Sequence, residues 1–184
     1  MQLKDVTSTS FGLVIGFLLP GVVSLFSLTF WYKPAADAFH TFLTDASNFG
    51  LFLFLLLGAL ILGLAVSSVR WLVYEVLLAR LPGVYGPALT EQEHERLCEE
   101  SRFAPYRAAV DETYRYHQFF GGLTITAPAL FAGWLGGLGS GCLVKAVLTA
   151  GFVALEVLLA ASAITAFRSF RRYAKAILAM PEGH

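Results

Sequence analysis

Charge is what this sequence has least of. Only 14% of its 184 residues are Asp, Glu, Lys or Arg, against 57% hydrophobic, where a water-soluble domain carries about 25% charged residues. A chain this poor in charge cannot cover a soluble surface of its size. Cysteine is scarce too: Cys98 and Cys142 fall in different regions, form no metal or redox spacing and imply no disulfide framework. The four histidines, His40, His94, His117 and His184, are scattered, and HExxH, P-loop and GxSxG patterns are missing. No catalytic residue, metal ligand or cofactor is therefore assigned. The polar middle of the chain lacks the aromatic–basic interleaving of RNA-binding modules, so no direct nucleic-acid contact is expected.

What the chain has instead is long apolar runs. One lies between Asp5 and Lys33, one between Asp45 and Arg70, one from Gln118 to Val144, and one between Lys145 and Arg168. Each exceeds the roughly 20 residues that carry a helix across a ~30 Å hydrocarbon core. The fold expected is all-α: a single integral membrane domain, residues 1–184, built as a four-helix bundle with spans at about 11–32, 48–70, 118–140 and 145–167. The start, MQLKDVTSTS, is polar and the run behind it is too long for a signal h-region, so no cleavable signal peptide is expected.

The cations set the orientation. Eleven of them (Lys4, Arg70, Arg80, Arg96, Arg102, Arg107, Arg115, Arg168, Arg171, Arg172 and Lys175) lie at the ends of the chain or in its middle, and only Lys33 and Lys145 in the other two loops. The positive-inside rule then puts both termini and residues 71–117 in the cytosol. Within that segment span two should continue past Arg70 until Pro82-Gly83 stops it. Thr90-Glu91-Gln92-Glu93 fits a capping box and should open a short helix that ends before Pro105. A last helix from near Tyr106 should feed span three. On the outer side WYKP sets Trp31 and Tyr32 at the interface, with a short helix through Phe39 and Phe42.

Glu156 is the one charge inside span four, near the bilayer midplane by its distance from Lys145 and Arg168. A central acidic residue costs about 2.5–3.5 kcal/mol on insertion scales, so it should face protein or water. At the same depth lie Pro20-Gly21 and Gly58; Pro20 frees the carbonyl of Gly16, and Thr124 and Thr126 of span three are other possible partners. Glu156 is thus either neutral packing glue between helices or part of a polar pore or proton path. Small-residue spacings (Gly12-x-x-x-Gly16, Ala59-x-x-x-Gly63, and Gly133, Gly137, Gly141) permit close helix approach and argue for a homo-oligomer.

Three stretches, FGLVIGFLLPGVVSL, SSVRWLVYEVL and ETYRYHQFFGG, together resemble a family of small bacterial four-span membrane proteins whose members often accompany phage-defence genes. The resemblance implies a bacterial inner-membrane location. It also implies that Pro20-Gly21, Arg70-Trp71 and Tyr114-Arg115-Tyr116-x-Gln118-Phe119 are defining positions; His117, between them, is counted with the cytosolic-interface residues. Physically, Arg70 and Arg115 stand where spans two and three leave the membrane. There they can bind lipid phosphates or pair with Glu75, Asp111 or Glu112, while Trp71, Tyr114 and Tyr116 form an aromatic belt. This level is either an interface anchor or a collar linking cytosolic helices to the spans. CEESR resembles the start of the diglutamate motif of intramembrane prenyl-protein proteases, but Ala104 stands where that motif needs arginine.

Three functions remain open. The first is an oligomeric effector or channel-like protein, triggered through residues 71–117, that perturbs the membrane in phage defence. The second is a non-conducting scaffold or accessory subunit anchoring a cytosolic partner. The third is a membrane enzyme acting on a lipid. Membrane lipids, further copies of the chain and a cytosolic protein are the partners expected.

Overall fold

A computed structural model describes residues 14–44, 49–81, 83–85 and 87–180, the side chains of Ile15 and Glu100 excepted. Every regular element among them is helical. Polar side chains are few in the uncharged runs, and those of Ser24, Thr124 and Thr126 donate to carbonyls of their own helix; a helix satisfies its own N–H and C=O groups, as lipid requires.

A π-helical turn, Val14–Leu18, leads into α1 (Leu19–Trp31). α2 (Lys33–Thr44) follows, then α3 (Phe49–Arg70), which continues through a π-helical stretch, Trp71–Leu77, and a 3-10 turn, Leu78–Arg80. Leu81 is extended, the conformation favoured before a proline, and Gly83 turns the chain at φ +81°, a left-handed value that favours glycine. α4 (Glu91–Leu97) and α5 (Glu100–Ala109) form a small polar cap. A third π-helical turn, Val110–Tyr114, joins α5 to α6 (Arg115–Gly137), and α7 (Cys142–Leu178) closes the chain.

Among the described residues three helices are long and apolar enough to cross a membrane: Phe49–Arg80, Ser101–Gly137 and Cys142–Leu178, with mean hydropathies of 2.8, 1.3 and 2.2. The first expected span is described only in part. Its apolar helix covers Gly16–Trp31, about 24 Å at 1.5 Å per residue, and residues 11–13 lie outside the described residues. Pro20 is the second residue of α1, directly behind the π-helical turn, and Ser24 donates to its carbonyl oxygen at 2.9 Å.

α1 lies between α3 and α6, and α7 packs on α6. The approaches are backbone to backbone. A Cβ on Gly21 would strike the carbonyl oxygen of Ala59, one on Gly63 that of Phe17, and one on Gly122 would come within 2.8 Å of Pro20. Gly58, beside Ala59, is not itself a point of close approach within the chain: a Cβ there would meet only Leu25, at 3.8 Å. The small-residue stripes are therefore largely used within one chain. Gly133 is one of these, since its Cβ would stand 2.6 Å from Phe30, while Gly137 ends α6 and Gly141 precedes α7, so the three glycines form no single-helix face.

The cap differs from expectation at Pro105. The break falls at Cys98-Glu99, and Pro105 lies inside α5. The carbonyl that loses its partner belongs to Ser101, which is exposed and so hydrated. The polar end of α7 gathers the cap through two apolar clusters, one of Leu97, Ala109, Ala174 and Ile177, the other of Tyr85, Phe167 and Phe170.

Candidate functional site

Where α3, α6 and α7 meet at their arginine-rich ends, four polar side chains converge. Arg70, only 3% exposed, places Nη1 2.8 Å from Glu75 Oε1. Five residues separate them, one more than the spacing that faces side chains on an α-helix. The π-helical stretch Trp71–Leu77 widens the turn and brings the pair together. Tyr114, at the end of the facing π-helical turn, donates its hydroxyl to the same Oε1 at 3.2 Å. His117 is fully buried, with Nε2 3.7 Å from Glu75 Oε1 and Nδ1 2.9 Å from the carbonyl oxygen of Ala163. A carbonyl only accepts, so Nδ1 carries the proton and Nε2 faces the carboxylate.

Aromatic rings enclose this node. His117 stacks on Phe167 at 4.6 Å and meets Tyr74 edge-on at 5.6 Å, and Arg70 lies 6.0 Å from the Tyr114 ring. Gly121 leaves room for the arginine, since a Cβ there would stand 3.0 Å from Arg70 Cγ. Arg70 Nε and His117 Nε2 are enclosed without a hydrogen-bond partner. A buried ion pair of this kind contributes little net stability, but removing one partner strands the other and costs about 3–5 kcal/mol. Glu75 and His117 could ligate a metal, yet no third His, Cys, Asp or Glu joins them among the described residues.

Below the node, toward the cap, a cavity of about 370 Å³ is lined by Glu75, Tyr114, His94, Tyr106, Phe170 and Arg171, among others. One wall is the loop after Gly83. There Tyr85 packs edge-on against Phe167 at 4.8 Å, and burial pushes its phenol up to about 12.

Glu156 lies on the same face of α7 as Ala163, two turns away, and one turn from Phe152, which stacks on Phe131 of α6 at 4.1 Å. Its Oε1 is enclosed and without a hydrogen-bond partner. None of the partners expected for it is engaged that way. Thr126 donates to Gly122 O of its own helix, Thr124 to Phe120 O, and Pro20 packs on Gly122 rather than on α7.

Of the interface residues read from the sequence, the fold joins Arg70, Glu75, Tyr114 and His117. Arg115 pairs instead with Asp111 at 3.3 Å, and Trp71 and Tyr116 are exposed. Sequence reasoning missed Tyr74, Ala163, Phe167 and Phe170. The last three, with Ala174 and Ile177, recur every three or four residues along α7, a spacing that runs straight past Arg168 and was readable as a buried stripe. No protein-family model, curated protein or solved structure matches this chain.

Proposed function

We propose that this chain is a four-span protein of the bacterial inner membrane, with both termini and residues 71–117 in the cytosol, acting as a small oligomeric effector or channel-like protein. The cytosolic cap receives the trigger, and the Arg70–Glu75–Tyr114–His117 node passes it to the spans. The observation that carries this reading is the node itself: an enclosed ion pair, held by two π-helical turns, at the one level where cap and spanning helices meet. Such a pair adds little stability for its cost, and its best-attested use is to fix one of two packings. The Glu156 carboxyl, enclosed on the α6 side of α7 in line with Ala163, supplies a polar group within the seam. The resemblance read from the sequence adds phage infection as the setting; the trigger itself would be a partner or a cytosolic signal acting on residues 71–117.

Flux from proteoliposomes made with purified protein tests the proposal. Glu75→Gln should change the basal leak several-fold by releasing the node, and Glu156→Gln should remove the pH dependence of the flux. Vesicles as tight as empty ones with wild type and Glu75→Gln alike would rule out the effector reading. A second reading, a non-conducting accessory subunit, is favoured by the outer face of α7. Leu143, Val147, Val157 and Leu158 are each more than 60% exposed there, an apolar surface suited to lipid or to another spanning helix.

A further inference from the structure

The polar end of α7 carries a second site that the node does not use. Arg168, Arg171, Arg172 and Lys175 stand at i, i+3, i+4 and i+7, so they share one helix face. With Thr165 and Pro87 they line a cavity of about 360 Å³ that has no acidic residue in its wall. The cations are held in place. Arg168 donates Nε to Val84 O and Nη2 to Gly83 O, fixing it to the loop that Gly83 turns. The Arg171 guanidinium lies 5.4 Å from the Tyr85 ring and 4.7 Å from Phe167. Arg172 donates to Ser169 at 3.3 Å. A guanidinium has five N–H donors, so Arg168 and Arg172 retain donors for a ligand in the cavity.

The depth of the site selects the ligand. Lys145 and Arg168 bound the apolar stretch of α7 and stand about 34 Å apart at 1.5 Å per residue, close to the ~30 Å hydrocarbon thickness. Arg168 then reaches the level of lipid phosphates, with the three other cations within two turns beyond it. We propose that this basic cavity binds the phosphate of an anionic lipid headgroup in the cytosolic leaflet. Arg171 stands in the wall of both this cavity and the one beneath the node. A phosphate drawn to it would therefore bias the Tyr85–Phe167 contact and, through Phe167, His117. The site rests on the membrane reading above and adds to it a ligand class and a route to the node.

Binding of short-chain phosphatidylglycerol, short-chain phosphatidylcholine and inorganic phosphate to the purified full chain in a neutral detergent tests this. Wild type should prefer the anionic lipid over the choline lipid at least tenfold. The double variant R172Q/K175Q, which spares the Arg168 and Arg171 contacts, should weaken anionic-lipid binding about 30-fold, the effect of two near-surface cations. R80Q, which removes a cation outside the cavity, should leave it within twofold. Equal binding of the two lipids, or of wild type and R172Q/K175Q, would overturn the proposal. Inorganic phosphate binding as tightly as the lipid would reassign the site to a free anion and overturn the lipid assignment. Because the assay uses no oriented membrane, its failure leaves the span reading intact. Failure of that reading would appear separately, as release of the protein from membranes by alkaline carbonate.

Discussion

At the scale of single residues, the node makes a sharp distinction between holding the fold and switching it. Glu75→Leu leaves Arg70 charged and enclosed and should cost about 3–5 kcal/mol, whereas Arg70→Met combined with Glu75→Leu should recover most of that loss. Tyr114→Phe removes one hydrogen bond to a charged acceptor and should cost about 1.5–3 kcal/mol. Thermal unfolding in detergent reads all three, and a double variant no more stable than Glu75→Leu alone would show that the pair is not self-contained. The pairing of Arg70 with Glu75 was among the options legible in the sequence, because both lie near the end of one apolar run. The place of His117 in the same cluster was only partly legible. Its ring reaches Ala163 of another helix, and no local pattern records a contact across 46 residues.

At the scale of elements, the closest helix crossing is the most exacting feature. Gly21→Ala puts a methyl group against the Ala59 carbonyl, part of the backbone and unable to rotate away. Forcing α1 off α3 should cost about 1–3 kcal/mol, measurable as a lower unfolding temperature, while Gly58→Ala should be nearly neutral. The cap offers a smaller test. Thr90 accepts from Glu93 N at 3.2 Å and Glu93 Oε2 accepts from Thr90 N at 2.7 Å. Thr90→Ala should therefore destabilise α4 by about 1 kcal/mol, visible as faster hydrogen exchange of residues 91–97. The Thr90 backbone N–H holds the Glu93 carboxyl below its ordinary 4.5. Its contribution is thus present above that value and lost as pH falls through the lower, folded one; Thr90→Ala keeps that backbone N–H, so acid should loosen the start of α4 in the variant and in wild type alike. This helix start was plain in the sequence because a capping box is local. The end of the same helix was not, because a proline is tolerated where the carbonyl it frees can meet water, as at Ser101.

For the molecule as a whole, the cysteines report the threading. Cys98, in the cap, and Cys142, at the start of α7, are both free and exposed. In intact spheroplasts a membrane-impermeant maleimide should label Cys142 and reach Cys98 only after lysis. Labelling of Cys98 first would reverse the orientation. The all-helical character and three long apolar helices follow from composition and run length, which are additive properties of a sequence. The π-helical turn before α1 and the place of α1 between α3 and α6 do not, because they are set by neighbours distant in the chain.

Two helices of 37 residues each, Ser101–Gly137 and Cys142–Leu178, pass from the cap to the far turn without a non-helical break. Each is a shaft about 55 Å long at 1.5 Å per residue. Cys142–Leu178 is one α-helix with no joint between Lys175 and Ala163, whereas Ser101–Gly137 carries Pro105, Pro128 and the π-helical turn Val110–Tyr114. Torque applied at Lys175 is passed on, while torque applied at Arg102 meets places to bend. A rotation of the cap by a few degrees would therefore turn the buried stripe of α7 with it.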